Sequence, residues 1–274
     1  YKVEVWQIVY FCMSSLMLIG ILTTIFSTEP KIKRVKFINN NYHIKFFIVF
    51  ILAIIGFIFL YQLINNPFDK EQILIKFLFA TFRILLCFIL AGTIVSTFIL
   101  TGFISMRDTS KLYIEPITNF TQKYGKFAVG ILLLIGLYRI ADVVMGVVAN
   151  VFYLEKGFDI NEIATYSKFF GVFATILGGF LGGFFALRFG TMKALFLGAL
   201  IAAASNLLFA WLAVAPISIK FLITVITADN ISSGFAGAAF VVYLSGLTSV
   251  KFTATQYALF SSIMLFLPKL IAGY

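Results

Sequence analysis

Charge is what this chain has least of. Only 12% of its 274 residues are Asp, Glu, Lys or Arg, where an ordinary soluble domain carries about 25%. Apolar residues make up 61% and the mean hydropathy is +1.04. A soluble globule of this size still turns much of its area to water and cannot hide so much apolar surface. The chain therefore lies in lipid. Histidine occurs once, at His43, and cysteine twice, at Cys12 and Cys87, with no CxxC spacing. A zinc site of the HExxH type is thereby excluded, and a disulfide framework has no basis. There is no GxxxxGK[ST] loop to cradle ATP, no Gly-Tyr-Gly filter run of a potassium channel, and no nucleophile–base pair at helical spacing. Nucleotide-driven pumping and enzyme chemistry both lack their parts. The sequons at Asn119 and Asn230 fall on the cytoplasmic side or inside a span and are discounted.

What is present is a series of uncharged or nearly uncharged runs. A helix needs about 20 apolar residues to cross the hydrocarbon layer. Runs of that order cover Val5–Phe26, Phe46–Ile64, Ile84–Ile104, Phe127–Val151, Phe169–Leu187, Ala194–Ala213, Phe221–Leu247 and Tyr257–Tyr274. β-barrel strands would be about half as long and would alternate in polarity. The expected fold is an all-α polytopic bundle of about eight spanning helices, each a continuous crossing. Ile73–Ile104 is too long for one upright span, so Lys76 and Arg83, two turns apart on one face, read as cations of a tilted lead-in that snorkel to headgroups.

The net charge of +10 marks membrane sidedness rather than a nucleic-acid surface, because the basic residues sit between the apolar runs. Alternate connections hold twelve of them, from Lys31, Lys33, Arg34, Lys36 and Lys45 through Arg107, Lys111, Lys123 and Lys126 to Arg188, Lys193 and Lys251. The opposite connections hold five: Lys2, Lys70, Lys156, Lys168 and Lys220. By the positive-inside rule the first set faces the cytoplasm and the chain starts outside. The chain has no initiator Met and its last apolar run reaches Tyr274, so it is expected to be a piece of a longer polytopic protein.

Small residues mark where helices touch. Ala174, Gly178 and Gly182 recur every four residues, with Gly179 and Gly183 as a second row one position over. Such spacing lets two backbones approach closely in a membrane. The same span ends Gly183-Phe-Phe-Ala-Leu-Arg188-Phe-Gly190-Thr-Met-Lys193, a tight cytoplasmic turn in which Gly190 is expected to adopt the left-handed conformation and Arg188 lies near the negative end of the helix dipole.

That turn resembles the signature loop of the major facilitator superfamily, G-x-x-x-D-R-x-G-R/K-R/K. Gly183, Arg188, Gly190 and Lys193 match, while Leu187 stands where the pattern has Asp and removes the charge-relay partner. A narrower resemblance runs over residues 120–274. Leu137-Tyr-Arg-Ile-Ala-Asp142, Lys168-Phe-Phe-Gly-Val-Phe-Ala-Thr-Ile-Leu-Gly-Gly179, Ala203-Ala-Ser-Asn206, Asp229-Asn-Ile-Ser-Ser-Gly-Phe-Ala-Gly-Ala-Ala-Phe240 and Phe252-Thr-Ala-Thr-Gln-Tyr-Ala-Leu259 look like the muropeptide permease family, AmpG. Acetyl-CoA transporters share part of the pattern. The resemblance implies residues 1–28, ending near Glu29-Pro30, as the sixth helix of the superfamily fold. Residues 29–126 would be linkers with two extra helices, and 127–274 five helices of the C-terminal half. Five early helices and the twelfth would be missing partners of the same transporter. It implies proton-driven import of anhydro-muropeptides across the bacterial inner membrane for cell-wall recycling, with the proton motive force in place of a cofactor and no nucleic acid or metal. Rival expectations are a permease for another amphiphilic anion, such as an acyl-CoA-like solute, and a non-transporting fragment of a split gene.

The candidate chemistry is charge held in lipid. At about 1.5 Å per residue, Arg139 and Asp142 lie roughly 18–22 Å in from Phe127, and Asp229 roughly 14 Å in from Lys220. All three fall near the midplane, where a charge is costly unless paired or wetted and where transporters keep their sites. Arg139 and Asp142, three apart, share a face and can pair. A carboxylate sheltered from water binds a proton more readily, so exchange of partners at Arg139 between Asp142 and a solute carboxylate would couple proton and solute. Lys168, Asn206, Asn230 and Gln256 are further candidates, each with an alternative use in snorkelling or helix–helix bonding. Tyr138, Tyr243 and Tyr257 could stack on a sugar or pack in the core.

Overall fold

The computed structural model describes residues 3–27, 40–64 and 73–272. The Glu29-Pro30 end of the first span, the basic residues Lys31 to Lys36, the connection 65–72 and the final residues 273–274 lie outside the described residues. No strand occurs among the described residues.

Helix α1 (Val3–Phe26) belongs to a unit of its own. The second unit begins with α2 (Asn40–Leu63) and α3 (Ile73–Leu100), packed on each other as a hairpin. A turn through Gly102 leads to α4 (Met106–Thr109), a π-helical turn (Ser110–Ile114) and α5 (Glu115–Tyr124). There follow α6 (Ala128–Leu137), α7 (Ile140–Lys156), α8 (Ile160–Phe189), α9 (Thr191–Val214), α10 (Ile219–Leu247) and α11 (Thr253–Ala272). Among the described residues seven helical stretches are long and apolar enough to cross a membrane, residues 106–156 counting as one; α11 occupies the eighth expected span. The protein is a multi-pass membrane helix bundle.

Helices are the form an apolar chain takes in lipid, because every N–H and C=O is then bonded within its own segment. Hydroxyls are carried in the same way: Ser96 donates to the Gly92 carbonyl and Thr97 to that of Thr93, one turn back, both at 2.8 Å. Phe169, Phe173, Ile176 and Phe180 stand exposed along α8, as a lipid-facing flank requires.

Contacts at the helix ends agree with the alternating sides read from charge. Lys156 donates to the Ala213 carbonyl at 2.7 Å, joining the ends of α7 and α9 assigned outside. At the opposite end Lys123 and Tyr124 donate to the Leu247 carbonyl at 3.3 and 3.2 Å, and Lys251 pairs with Glu115 at 3.6 Å.

Four local expectations are corrected. The span expected as one helix over 127–151 is broken at Tyr138 and Arg139, between α6 and α7. Of the two glycine rows, the one with Gly178 and Gly182 makes the closest approach to α10. A Cβ on Gly178 or Gly182 would overlap the carbonyl groups of Ile231 or Phe235 on α10, whereas Gly183 has open space and Gly179 only an ordinary contact. Gly190 has φ 93° and ψ 151°, an extended positive-φ conformation essentially reserved for glycine and not the left-handed helical one. This single residue both ends α8 and caps α9, so no full turn intervenes. Finally, Arg83 is not a free cation of the lead-in but is engaged within the α2–α3 hairpin. Its guanidinium donates to the Ile64 carbonyl at 2.7 Å and lies 3.6 Å over the Tyr61 ring, closing the exposed end of α2.

Candidate functional site

Three helices build the site, and α10 is its axis. Positions Asp229, Ser233 and Gly237 follow each other at four-residue spacing and form one row along α10. A neighbouring row, containing Asn230 and Gly234, faces α8. There Gly234 meets the Thr175 carbonyl, and Asn230 accepts from the Thr175 hydroxyl at 3.0 Å while donating to the Ile226 carbonyl at 2.8 Å. The glycine interface thus fixes the rotation of α10, and that rotation turns the Asp229–Gly237 row toward α7.

On the α7 side the helix break supplies the functional group. Val143 N–H donates to the Arg139 carbonyl at 3.1 Å and starts α7, while Tyr138 N–H donates to Leu134 at 2.9 Å and ends α6. Arg139 itself has φ −102° and ψ 13°, outside the helical region. Neither proline nor glycine occupies the break. Tyr138 holds it from the side: its hydroxyl donates to the Leu195 carbonyl at 2.8 Å and its ring stacks on Phe240 at 5.0 Å. Gly198 leaves room for that hydroxyl, since a Cβ there would come within 2.7 Å of it.

Arg139 then spans the gap. Its Nε donates to Asp142 Oδ2 at 3.2 Å, Nη2 lies at the same distance from that oxygen, and Nη2 also donates to Ser233 Oγ at 3.3 Å. A Cβ on Gly237 would stand 3.5 Å from Nη1, an ordinary contact, so Gly237 lies beside the path of the guanidinium. Ser233 is the central residue of the 29-residue α10, roughly 21 Å from either end at the helical rise. The bond to Ser233 therefore sets the Arg139–Asp142 pair halfway across the bundle. The pair is partly open, with side-chain exposures of 27% and 16%. Asp229, one turn along the row from Ser233, is half-buried and within range of the Asp142 charge. Among the described residues it has neither an ion pair nor a side-chain hydrogen bond. Arg139 thus pairs with Asp142, while Asp229 carries a second carboxylate within range of Asp142. The described residues contain no cluster of His, Cys, Asp and Glu able to hold a metal ion.

The remaining candidates separate. Asn230 is engaged between α10 and α8. Gln256 is buried at the cytoplasmic end: it accepts from Ser249 N–H at 2.7 Å and donates to the Pro116 carbonyl at 2.8 Å, tying α11 to α5 far from the midplane. Lys168 lies in a cleft between α7 and α8 with Asn150 and Ser167. Asn206 is half-buried on α9 without a side-chain bond among the described residues. Tyr138, Tyr243 and Tyr257 pack against one apolar cluster around Phe240 and Phe260, so the stacking role on a sugar gains no support. Arg188 and Lys193 are exposed and have no acidic partner among the described residues, as expected from Leu187. Ser233 and Gly237 are the site residues that sequence reasoning passed over; the four-residue spacing from Asp229 was the available signal.

No protein-family model matches the chain. "Putative transporter AmpG 4" of Rickettsia conorii is 29% identical over 224 residues, covering 82% of this chain and 47% of that protein. The protein of the same name from Rickettsia felis is 31% identical over 207 residues, covering 76% and 49%. "Putative transporter AmpG 1" of Rickettsia bellii is 36% identical over 150 residues, covering 54% and 37%. The chain spans about half the length of the first two.

Proposed function

Because the chain is a relative of the AmpG-type transporters, we propose that it supplies one half of a secondary active transporter that imports an anionic solute together with protons. The solute class that the family likeness favours is the anhydro-muropeptide, taken up for cell-wall recycling. One observation carries the reading: an Arg–Asp pair sits at a break in a spanning helix, bonded to the middle of α10, with a second carboxylate beside it that has no cation of its own. Discontinuous helices at the midplane are where carriers bind their cargo, and a charged pair at this depth is rarely incidental.

In this account Asp142 neutralises Arg139 in the solute-free state. A solute carboxylate displaces it, taking the guanidinium with Ser233 as a second partner for Nη2. Asp142 and Asp229 then share a sheltered site with no free cation, and one proton relieves their repulsion. Solute entry and proton uptake are thereby tied to one Arg side chain, and the helical halves rock around the loaded site. The test is uptake of labelled anhydro-muropeptide across an imposed pH gradient. Asp142→Asn is expected to abolish accumulation while membrane insertion persists, and normal accumulation in that variant refutes the coupling role. Competition by an unlabelled acyl-CoA separates the sibling solute class.

A further inference from the structure

The cleft between α7 and α8 is distinct from the midplane pair. It holds about 230 Å³ and is lined by Asn150, Leu154, Ile160, Ile163, Ala164, Ser167 and Lys168. Asn150 stands six residues inside the end of α7 and Lys168 eight inside the start of α8, so both lie roughly 9–12 Å below the outer ends of their helices. Three polar side chains from two helices thus meet at one depth within the apolar zone. None of the three makes a hydrogen bond or ion pair among the described residues, although Ser and Thr elsewhere in the bundle are bonded to their own helix turn. Asn150 and Lys168 are exposed and Ser167 is half-buried, so all three polar groups are open to a molecule entering the cleft. The sides of the cleft away from the polar trio are aliphatic.

From this geometry we infer that the outer α7–α8 cleft is a binding site for the carboxylate end of a short aliphatic solute, held by the Lys168 ammonium with the Asn150 amide and the Ser167 hydroxyl. One ammonium balances one negative charge, which favours a carboxylate over a dianionic phosphate. The volume takes the end of a chain and not a whole disaccharide-peptide. Asn150 also follows Arg139 by eleven residues, close to three full turns, so the cleft stands above the midplane pair on the same side of α7. Along the α7 axis the cleft lies roughly 16 Å from Arg139. Binding at the cleft is measured without solute movement, so its failure and that of the transport reading are separate results.

The test uses Ala164→Cys as a reporter at the cleft, in a background with Cys12→Ser and Cys87→Ala, reconstituted in vesicles. Labelling by a membrane-impermeant maleimide added outside is followed with and without N-acetyl-alanyl-alanine at millimolar concentration. The acid is expected to slow labelling at least threefold, and its C-terminal amide to leave the rate unchanged. Lys168→Met should remove the protection and Lys168→Arg should keep most of it. Equal protection by acid and amide, undiminished protection in Lys168→Met, or no labelling from outside in any condition overturns the proposal. Protection that appears without the dipeptide in phosphatidylglycerol vesicles, and not in phosphatidylcholine ones, assigns the cleft to a lipid headgroup and overturns it as well.

Discussion

Two neighbouring glycines on α8 make opposite predictions. A Cβ added to Gly182 would stand 2.8 Å from the Phe235 Cα and closer still to its carbonyl oxygen, whereas one added to Gly183 finds nothing within 4 Å. Carbon atoms pack at about 3.5–4.0 Å, so α8 and α10 would have to part by roughly 1 Å to admit Gly182→Ala. Overpacking of this kind costs about 1–3 kcal/mol. Here the loss also reaches the Gly178 and Gly234 contacts, which depend on the same close approach and have no hydrophobic driving force to replace them in lipid. Gly183→Ala should stay within about 0.5 kcal/mol of the parent. Thermal unfolding of the purified protein in detergent compares the two directly. Equal losses, or a larger loss for Gly183→Ala, would show that α8 meets α10 on another face, and the orientation of the Asp229–Gly237 row would fall with it.

Three further predictions concern single positions. Gly190→Ala forces an L side chain into a conformation reserved for glycine and is expected to cost about 1–3 kcal/mol in the same assay; a neutral result would contradict the one-residue turn between α8 and α9. Gln256→Leu leaves the buried Pro116 carbonyl and the Ser249 N–H without their partner and should lower stability by about 1–3 kcal/mol, while solute affinity, read by binding, stays unchanged; altered affinity would return Gln256 to the transport site. Tyr138→Phe removes the bond to Leu195 at the helix break and is expected to cost about 1 kcal/mol, with the ring stacking on Phe240 preserved; a much larger loss would mean that the hydroxyl does more than hold the break.

The spans were legible because the length and polarity of an apolar run decide whether it can cross a membrane. Arg139, Asp142 and Asp229 stood out in the sequence for a related reason, as charges inside apolar runs. The break at Tyr138 and Arg139 was not. Leu137-Tyr-Arg-Ile contains no residue that disfavours a helix, and the interruption is held by Leu195 and Phe240, which are distant in sequence. Periodicity revealed two glycine rows but could not say which one a neighbour covers. Gln256 and Asn230 look like site residues in a one-dimensional reading, since a polar group in an apolar run serves a ligand or a neighbouring helix equally well. The partners Pro116, Ser249 and Thr175, distant along the chain or on a neighbouring turn, show the bonds that both residues make in this structure.

In the proposed coupling, solute and proton meet at the Arg139 pair through Asp229 and Asp142. Its most direct test is to measure, in one vesicle preparation of Asp229→Asn, both exchange of labelled for unlabelled anhydro-muropeptide and accumulation driven by a pH gradient. The account predicts that exchange persists, because the neutral amide mimics the protonated acid, while gradient-driven accumulation is lost. Accumulation at the parent level would contradict it.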